Sequence, residues 1–324
     1  MLLYPWRSPN IGYCQQHVLK MAVASKKEFR SSALLGLGAI ALAAILWAVG
    51  ANVAQGLFQS GITPFELVEA RATISAVGLG VLSGLQTRKL SIWKNFQING
   101  WILMLGLALA LVNFTYYLAI ARLEVAVAIV IQYTAPALII LWIALTTRRL
   151  PSFSVGTSVI AAILGVALVA QVSGGDVSKL DGIGLASAIL SAILFATYTL
   201  LAERVGMAND AVTVMLKGFI VASLFWIAVQ LPQGFPTSLI QPNNLLGVLF
   251  IGVGGTLLPF LFYCWGIQRV RADRAAIAAT LEPAIAAVIA WIWFGQALTP
   301  LQILGSVLVL GAVLVLQLNQ KVGV

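Results

Sequence analysis

The sequence predicts an all-α integral membrane protein, with ten transmembrane helices forming two inverted five-helix repeats around a central cavity. Three observations predict it. Apolar runs of spanning length recur along the chain, basic residues gather in alternate connecting loops, and the two halves of the chain align with each other.

Of the 324 residues, 60% are hydrophobic and 9% charged. A soluble domain carries roughly 25% charged residues, so this chain is too apolar to fold in water as an ordinary globule. A helical span needs about 20 apolar residues, and runs of that kind fall at 33–55, 65–86, 100–121, 124–147, 153–172, 182–203, 211–231, 245–268, 273–295 and 299–318. The loops between them are short, and no soluble domain is inserted. Residues 1–31 are polar and basic and lack the apolar core of a signal peptide. They read as a disordered cytoplasmic tail, within which Met21 opens MAVASKKEFR as an alternative start. Residues 319–324 form a short cytoplasmic tail at the other end.

The net charge of +9 would suggest nucleic acid for a soluble protein. In a membrane protein, Lys and Arg instead accumulate in cytoplasmic loops. With the N-terminus inside, the cytoplasmic segments hold Arg7, Lys20, Lys26, Lys27, Arg30, Arg88, Lys89, Lys94, Arg148, Arg149, Arg204, Arg269, Arg271, Arg274 and Lys321, while external loops hold only Arg122 and Lys179. Both termini are therefore expected in the cytoplasm, across the plasma (inner) membrane. Missing one span would invert every later loop and destroy this bias.

The internal repeat is gapless over long stretches. GLGAIALAAILWAVGANVAQ in the first half stands over GLASAILSAILFATYTLLAE in the second. Residues 100–137 align with 247–284, matching Tyr116 with Tyr263, Arg122 with Arg269 and Pro136 with Pro283. Repeats over 32–172 and 173–318 would each hold five spans, and an odd number turns the second copy upside down relative to the first.

Polar residues inside the spans are the candidates for function. Glu282, in LEPAIAAV, would lie about nine residues into the ninth span, roughly 13 Å deep. An acid there must face a cavity, find a partner or hold a proton, so it reads either as a proton or substrate-cation site or as a hydrogen-bonded packing residue. Pro136 and Pro283 each remove a backbone donor, and their matched positions suggest paired kinks bordering one central space. Arg71 and Lys217 are basic residues within spans that are repeat mates. Either can bind a carboxylate or phosphate or can snorkel to the interface, and Glu69 can neutralise Arg71 without any substrate.

The remaining candidates share helix faces. Asn113, Tyr116 and Tyr117 lie on one face of the third span, though both tyrosines sit near a helix end and one belongs to the interfacial belt. Gln132 and Pro136 share a face, with Tyr133 alongside. Trp47 and Gln55 do the same in the first span, with Asn52 offset, and Tyr198 and Tyr263 complete the cavity-lining set. Gly80 and Gly84 form a GxxxG step, and Gly252, Gly254 and Gly255 cluster in the eighth span. Both groups read as close-packing sites.

Several chemistries find no support. The cysteines, Cys14 and Cys264, give no disulfide framework or metal spacing, and the single histidine, His17, lies in the tail. An intramembrane enzyme would need an activated nucleophile, a metal cluster or paired acids. A channel would favour a filter loop or pore ring. No GxxxxGK[ST] loop is present to bind ATP. A carrier needs only a modestly polar cavity and two packings of the same helices, so the residues favour a secondary transporter of small organic solutes working by alternating access. A structural membrane protein without transport activity is the bland rival. The expected partners are membrane lipids and a small-molecule substrate, with no nucleic acid, cofactor or metal; oligomeric state is not legible.

The run LEPAIAAVIAWIWFGQALTPLQILGSVLVLGAVLVL resembles the EamA-type transporters of the drug/metabolite transporter superfamily. QYTAPALIILWIALTTRRLPSFSVGTSVIAAILGVALVA is its weaker counterpart in the first half. The resemblance covers 33–318. It implies a ten-helix bundle with a central cavity and transport of small metabolites, often outward. Members carry amino acids, sugars, nucleotide-linked compounds and drugs, so the family alone does not choose a substrate. Ala135 stands where the second half has Glu282, which confines any role of that acid to one half.

Overall fold

The structure, a computed structural model, describes residues 11–85, 98–147, 153–169, 181–206, 210–234, 236–267 and 281–319. Among these residues it is helical, with no strand. Among the described residues, five helices are long and apolar enough to cross a membrane: Leu34–Gln59, Gly100–Arg122, Gly182–Ala202, Ala211–Gln233 and Pro242–Gly266. Many basic residues that carry the orientation argument, among them Arg88, Lys94, Arg148, Arg269, Arg274 and Lys321, lie outside the described residues, as do the connection 173–180 and residues 273–280 of the expected ninth span.

The first half holds α1 (Ile11–Gln59), α2 (Pro64–Leu85), α3 (Gly100–Arg122), α4 (Val125–Gln132), α5 (Ala135–Thr147) and α6 (Phe153–Val169). The second half holds α7 (Gly182–Gly206), α8 (Ala211–Gln230), α9 (Pro242–Gly252), α10 (Leu258–Ile267), α11 (Leu281–Phe294) and α12 (Pro300–Asn319). Two short 3-10 turns, Leu231–Gln233 and Thr237–Ile240, connect α8 to α9.

Three features depart from the expected spans. First, α1 is 49 residues long and already helical from Ile11, where the sequence was expected to be an unstructured tail. Residues 13–35 contain no glycine or proline and include several Gln, Lys, Ala and Leu, which favour helix. At 1.5 Å per residue α1 far exceeds a hydrocarbon layer of about 30 Å, so its polar start projects beyond the membrane. Second, the expected fourth span is two helices, α4 and α5, interrupted at Tyr133–Thr134. Pro136 is the second residue of α5, where its missing N–H breaks no bond, and the Thr134 hydroxyl donates to the Ile131 carbonyl at 2.7 Å. Third, α9 and α10 are joined by a π turn, Val253–Leu257, in the middle of the expected eighth span.

The packing is reciprocal. The most extensive helix contacts all join the first half to the second: α3 against α7 and α8, α6 against α12, α2 against α8, and α1 against α10 and α11. Thus α1 lies on α10 and α11, the partners in sequence alignment of α3 and α4–α5, while α7 lies on α3, α4 and α5. Glycines permit the closest approaches, since lipid supplies little hydrophobic drive between helices. A Cβ on Gly50 would sit 3.1 Å from the Gly255 Cα, and one on Gly165 would sit 2.7 Å from the Gly305 carbonyl oxygen. By contrast, a Cβ on Gly80 or Gly84 would meet nothing within 4 Å. Those two share α2 with exposed Val77, Val81 and Leu82, so among the described residues their GxxxG step packs against no other helix.

Candidate functional site

Helix α2 begins with a capping box. Thr63 donates its backbone N–H to Glu66 Oε2 at 2.8 Å, and the Glu66 N–H donates to Thr63 Oγ1 at 3.2 Å, with Pro64 as first helical residue. Ser238 Oγ also donates to Glu66 Oε1 at 2.9 Å. This pins the start of α2 and uses the Glu66 carboxylate locally. Arg71 follows seven residues later, roughly 10 Å along the helix. Its side chain is buried, with 3% exposure.

Across from Arg71 is the π turn. A GVGGT stretch holds a regular helix weakly because glycine has the most backbone freedom to lose. Here the Leu258 N–H reaches back to the Val253 carbonyl, giving the wider i→i+5 turn that recurs at functional sites. Arg71 Nε donates to Thr256 Oγ1 at 2.8 Å, and Arg71 Nη2 lies 3.5 Å from the Gly255 carbonyl oxygen. One turn further along α2, Ser75 Oγ donates to the Gly252 carbonyl at 2.9 Å. The guanidinium carbon stands 4.5 Å from the centre of the Tyr117 ring. Nη1 has no hydrogen-bond partner.

Glu69 does not neutralise Arg71. Two residues apart on a helix point to opposite faces, and Glu69 accepts from Thr73 Oγ1 at 3.1 Å, while Thr73 Oγ1 lies 2.7 Å from Ser223 Oγ on α8. Among the described residues, no carboxylate lies within ion-pair distance of Arg71.

A second polar group lies where α4 breaks. Tyr133, at the end of α4, donates its hydroxyl to Glu282 Oε2 at 3.1 Å. Glu282 is the second residue of α11 and 6% exposed, and Pro283 is the third. Tyr116 and Tyr263 lie within electrostatic reach of Glu282, and Tyr116 is also within reach of Arg71. The Tyr116 ring stands 5.8 Å from that of Tyr117, and its hydroxyl has no partner. Asn52 Nδ2 bridges the Ala48 carbonyl at 2.9 Å and the Ala286 carbonyl at 3.2 Å, joining α1 to α11. Asn52 Oδ1 and Gln55 Oε1 are buried without partners. Trp47 packs on Tyr263 at 5.4 Å and on Phe260 at 5.3 Å between ring centres.

The structure thus brings Arg71, Tyr116, Glu282, Tyr133, Tyr263, Trp47 and Asn52 into one interior region. The other expected residues make contacts of their own. Asn113 donates to the Leu109 carbonyl of its own helix at 2.6 Å. Gln132 is half-buried at the end of α4. Tyr198 adjoins the region instead: it donates to the Met215 sulfur at 3.7 Å and meets edge-on the Phe260 ring on which Trp47 packs; Lys217 is buried on α8. Pro136 is placed by its backbone alone.

Sequence reading missed Thr256, Phe260 and Trp226, and it left one of Tyr116 and Tyr117 to the interfacial belt. The signal for Thr256 was its place after three glycines in an apolar run. A second feature is a cavity of about 490 Å³ lined by Thr63, Phe65, Glu66, Gln230, Gln233, Gly234, Pro236, Thr237 and Ser238. Phe65 borders this cavity and also meets Trp226 at 5.2 Å and Phe114 at 6.3 Å. Trp226 meets Phe114 at 5.3 Å, so rings from α2, α3 and α8 form one plug. Trp226 Nε1 and Gln230 Oε1 are buried without partners beside it.

Comparison with known proteins fits this geometry. The EamA-like transporter family matches twice, over residues 34–171 and 182–318. The chain belongs to that family. It is therefore a membrane transporter of the drug/metabolite transporter superfamily. An uncharacterized inner membrane transporter of Salmonella typhimurium, YicL, is 25% identical over 88% of this chain and 96% of its own. The threonine/homoserine exporter RhtA of Escherichia coli is 28% identical over 66% of this chain and 68% of its own. A crystal structure of a protein 20% identical covers 90% of this chain and 98% of that one at a TM-score of 0.60, a likeness of fold.

Proposed function

We propose that the chain is a secondary transporter that exports small organic metabolites, amino acids or related solutes, across the plasma (inner) membrane by alternating access. Ten spans form two inverted repeats with both termini in the cytoplasm. Support for the repeats comes from the double family match and from the reciprocal packing of α1 and α7. Support for the substrate class comes from the likeness to a threonine/homoserine exporter.

The observation that carries the reading is the interior itself. A guanidinium and a carboxylate are buried in one aromatic-lined region, and Arg71 Nη1, Tyr116 Oη and Asn52 Oδ1 have no protein partner there. Unpaired polar groups in hydrocarbon cost several kcal/mol each, so the region has to admit water or solute during the working cycle. Glu282 holds either a proton or a cationic group of the solute, which couples transport to a proton gradient. Facing one membrane surface, the cavity beside Gln230 is a vestibule, and the Phe65–Phe114–Trp226 plug divides it from the interior.

The interleaved contacts refine how the cycle runs. Since the largest interfaces join the halves, the moving bodies draw helices from both, with α2, α3 and α8 shifting around the plug. The test is solute counterflow in proteoliposomes of purified protein. Saturable flux accelerated by unlabelled solute on the far side supports a carrier. Product formation without flux supports an intramembrane enzyme, and neither activity supports a structural role.

A further inference from the structure

We propose that Arg71 anchors the carboxylate of the transported solute, and that the solutes are small α-amino acids with a free carboxylate and a free ammonium. The proposal rests on the transporter reading above and adds to it a residue that selects the substrate.

The geometry of the guanidinium carries it. Arginine presents its donors on two edges, one formed by Nε and Nη2 and an end-on edge formed by Nη1 and Nη2. The first edge is occupied by Thr256 Oγ1 at 2.8 Å and the Gly255 carbonyl at 3.5 Å. Tyr117 supports one face of the plane at 4.5 Å. The end-on edge is left, with Nη1 meeting no acceptor although the side chain is 97% buried (3% exposed). That edge matches the two oxygens of a carboxylate, which guanidinium binds as a fork. The π turn supplies both the Thr256 hydroxyl and the Gly255 carbonyl, and Ser75 ties the same turn to α2.

Charge narrows the solute further. Tyr116 lies within electrostatic reach of both Arg71 and Glu282, so the solute meets one cation and one acid around the same ring. A phosphate ester would bring two negative charges towards Glu282 and find a single guanidinium. A simple amine would leave the Arg71 fork empty. A zwitterion answers both groups, its carboxylate on Arg71 and its ammonium towards Glu282.

The experiment is counterflow of radiolabelled L-threonine in proteoliposomes, with competition by L-threonine methyl ester and by 1-amino-2-propanol, which lacks the carboxylate. In the wild type, both carboxylate-free compounds should compete at least about 30-fold less well than threonine, the scale of losing one partner of a buried charged pair. In R71Q that preference should collapse towards equality, and R71K, which keeps a charge without the fork, should keep part of it. Equal competition by the ester in the wild type overturns the proposal, and this arm needs no variant to fold. Wild-type flux of amines or sugars without amino acids overturns it too, while leaving the transporter reading intact. Absence of saturable flux for any solute overturns both. Thermal melting of each variant in detergent separates loss of recognition from loss of fold: an R71Q that melts like the wild type and still discriminates against the ester counts against Arg71.

Discussion

Tyr133 donates its hydroxyl to Glu282 at 3.1 Å, joining the break between α4 and α5 in the first half to the LEP helix of the second. The bond explains how a buried acid is held at the start of α11. It also gives Glu282 a partner that does not neutralise its charge, so the carboxylate stays available to a proton or a cation.

Replacing Tyr133 with Phe should therefore lower flux more than stability. Hydrogen bonds between membrane helices average about 0.6 kcal/mol, so melting in detergent should shift little, while flux driven by a pH gradient should fall about tenfold. Glu282→Gln should abolish gradient-driven flux and leave exchange of labelled for unlabelled solute. Gradient-driven flux surviving Glu282→Gln would remove this acid from coupling.

Glycine substitutions should separate packed from unpacked helix faces. A Cβ on Gly252 would lie 2.5 Å from Ile74 Cγ2, so Gly252→Ala should destabilise by about 1–3 kcal/mol, the usual cost of overpacking. Gly80→Ala and Gly84→Ala meet nothing within 4 Å and should be neutral or slightly stabilising, since alanine favours helix. Detergent melting curves of the three variants provide the check.

The aromatic plug should control access from the vestibule. In a cysteine-free background, Ser238→Cys in the vestibule should react with a water-soluble thiol reagent. Ser223→Cys, at a buried position on α8, should react slowly. Adding Trp226→Ala should raise the reactivity at position 223 by about tenfold or more and leave position 238 unchanged. Equal rates with and without Trp226 would show that the rings do not gate this route.

At the start of α7, Asp181 caps the helix by accepting from the Gly184 N–H at 2.8 Å, and it pairs with Arg122 at 3.1 Å. The backbone bond from Gly184, ahead of the Arg122 contact, holds its carboxyl below the usual value of 3.8. A lowered carboxyl contributes stability above its unfolded pKa and loses it as pH falls through the folded one, so the loss belongs to pH below about 4. Asp181→Ala should cost about 1 kcal/mol at neutral pH, as cap removal does. Arg122→Gln should cost less, because the pair is solvent-exposed and screened. Melting at pH 7 and pH 3 tests both.

Much of the bundle was legible because hydrocarbon enforces long apolar runs and makes each buried polar residue conspicuous. That is how Arg71, Glu282, Tyr116, Tyr133 and Asn52 stand out among Ala and Leu. What stayed hidden depends on contacts between distant segments. Tyr117 sits near a helix end, which suggested a place in the interfacial belt, yet it lies under Arg71. Thr256 gains its role from a π turn, and nothing in a local pattern distinguishes GVGGT as a π turn from GVGGT as a weak helix. Trp226 looks like any apolar residue until α2 and α3 bring Phe65 and Phe114 against it. Asn113 shows the converse, a polar side chain inside a span that bonds its own backbone.

Counterflow by the wild-type protein in sealed proteoliposomes tests the central claim most directly. The account predicts saturable uptake of a labelled amino acid that rises when unlabelled amino acid is loaded on the opposite side. Flux that grows linearly with concentration and ignores the opposite side, or no flux for any small organic solute, would contradict it.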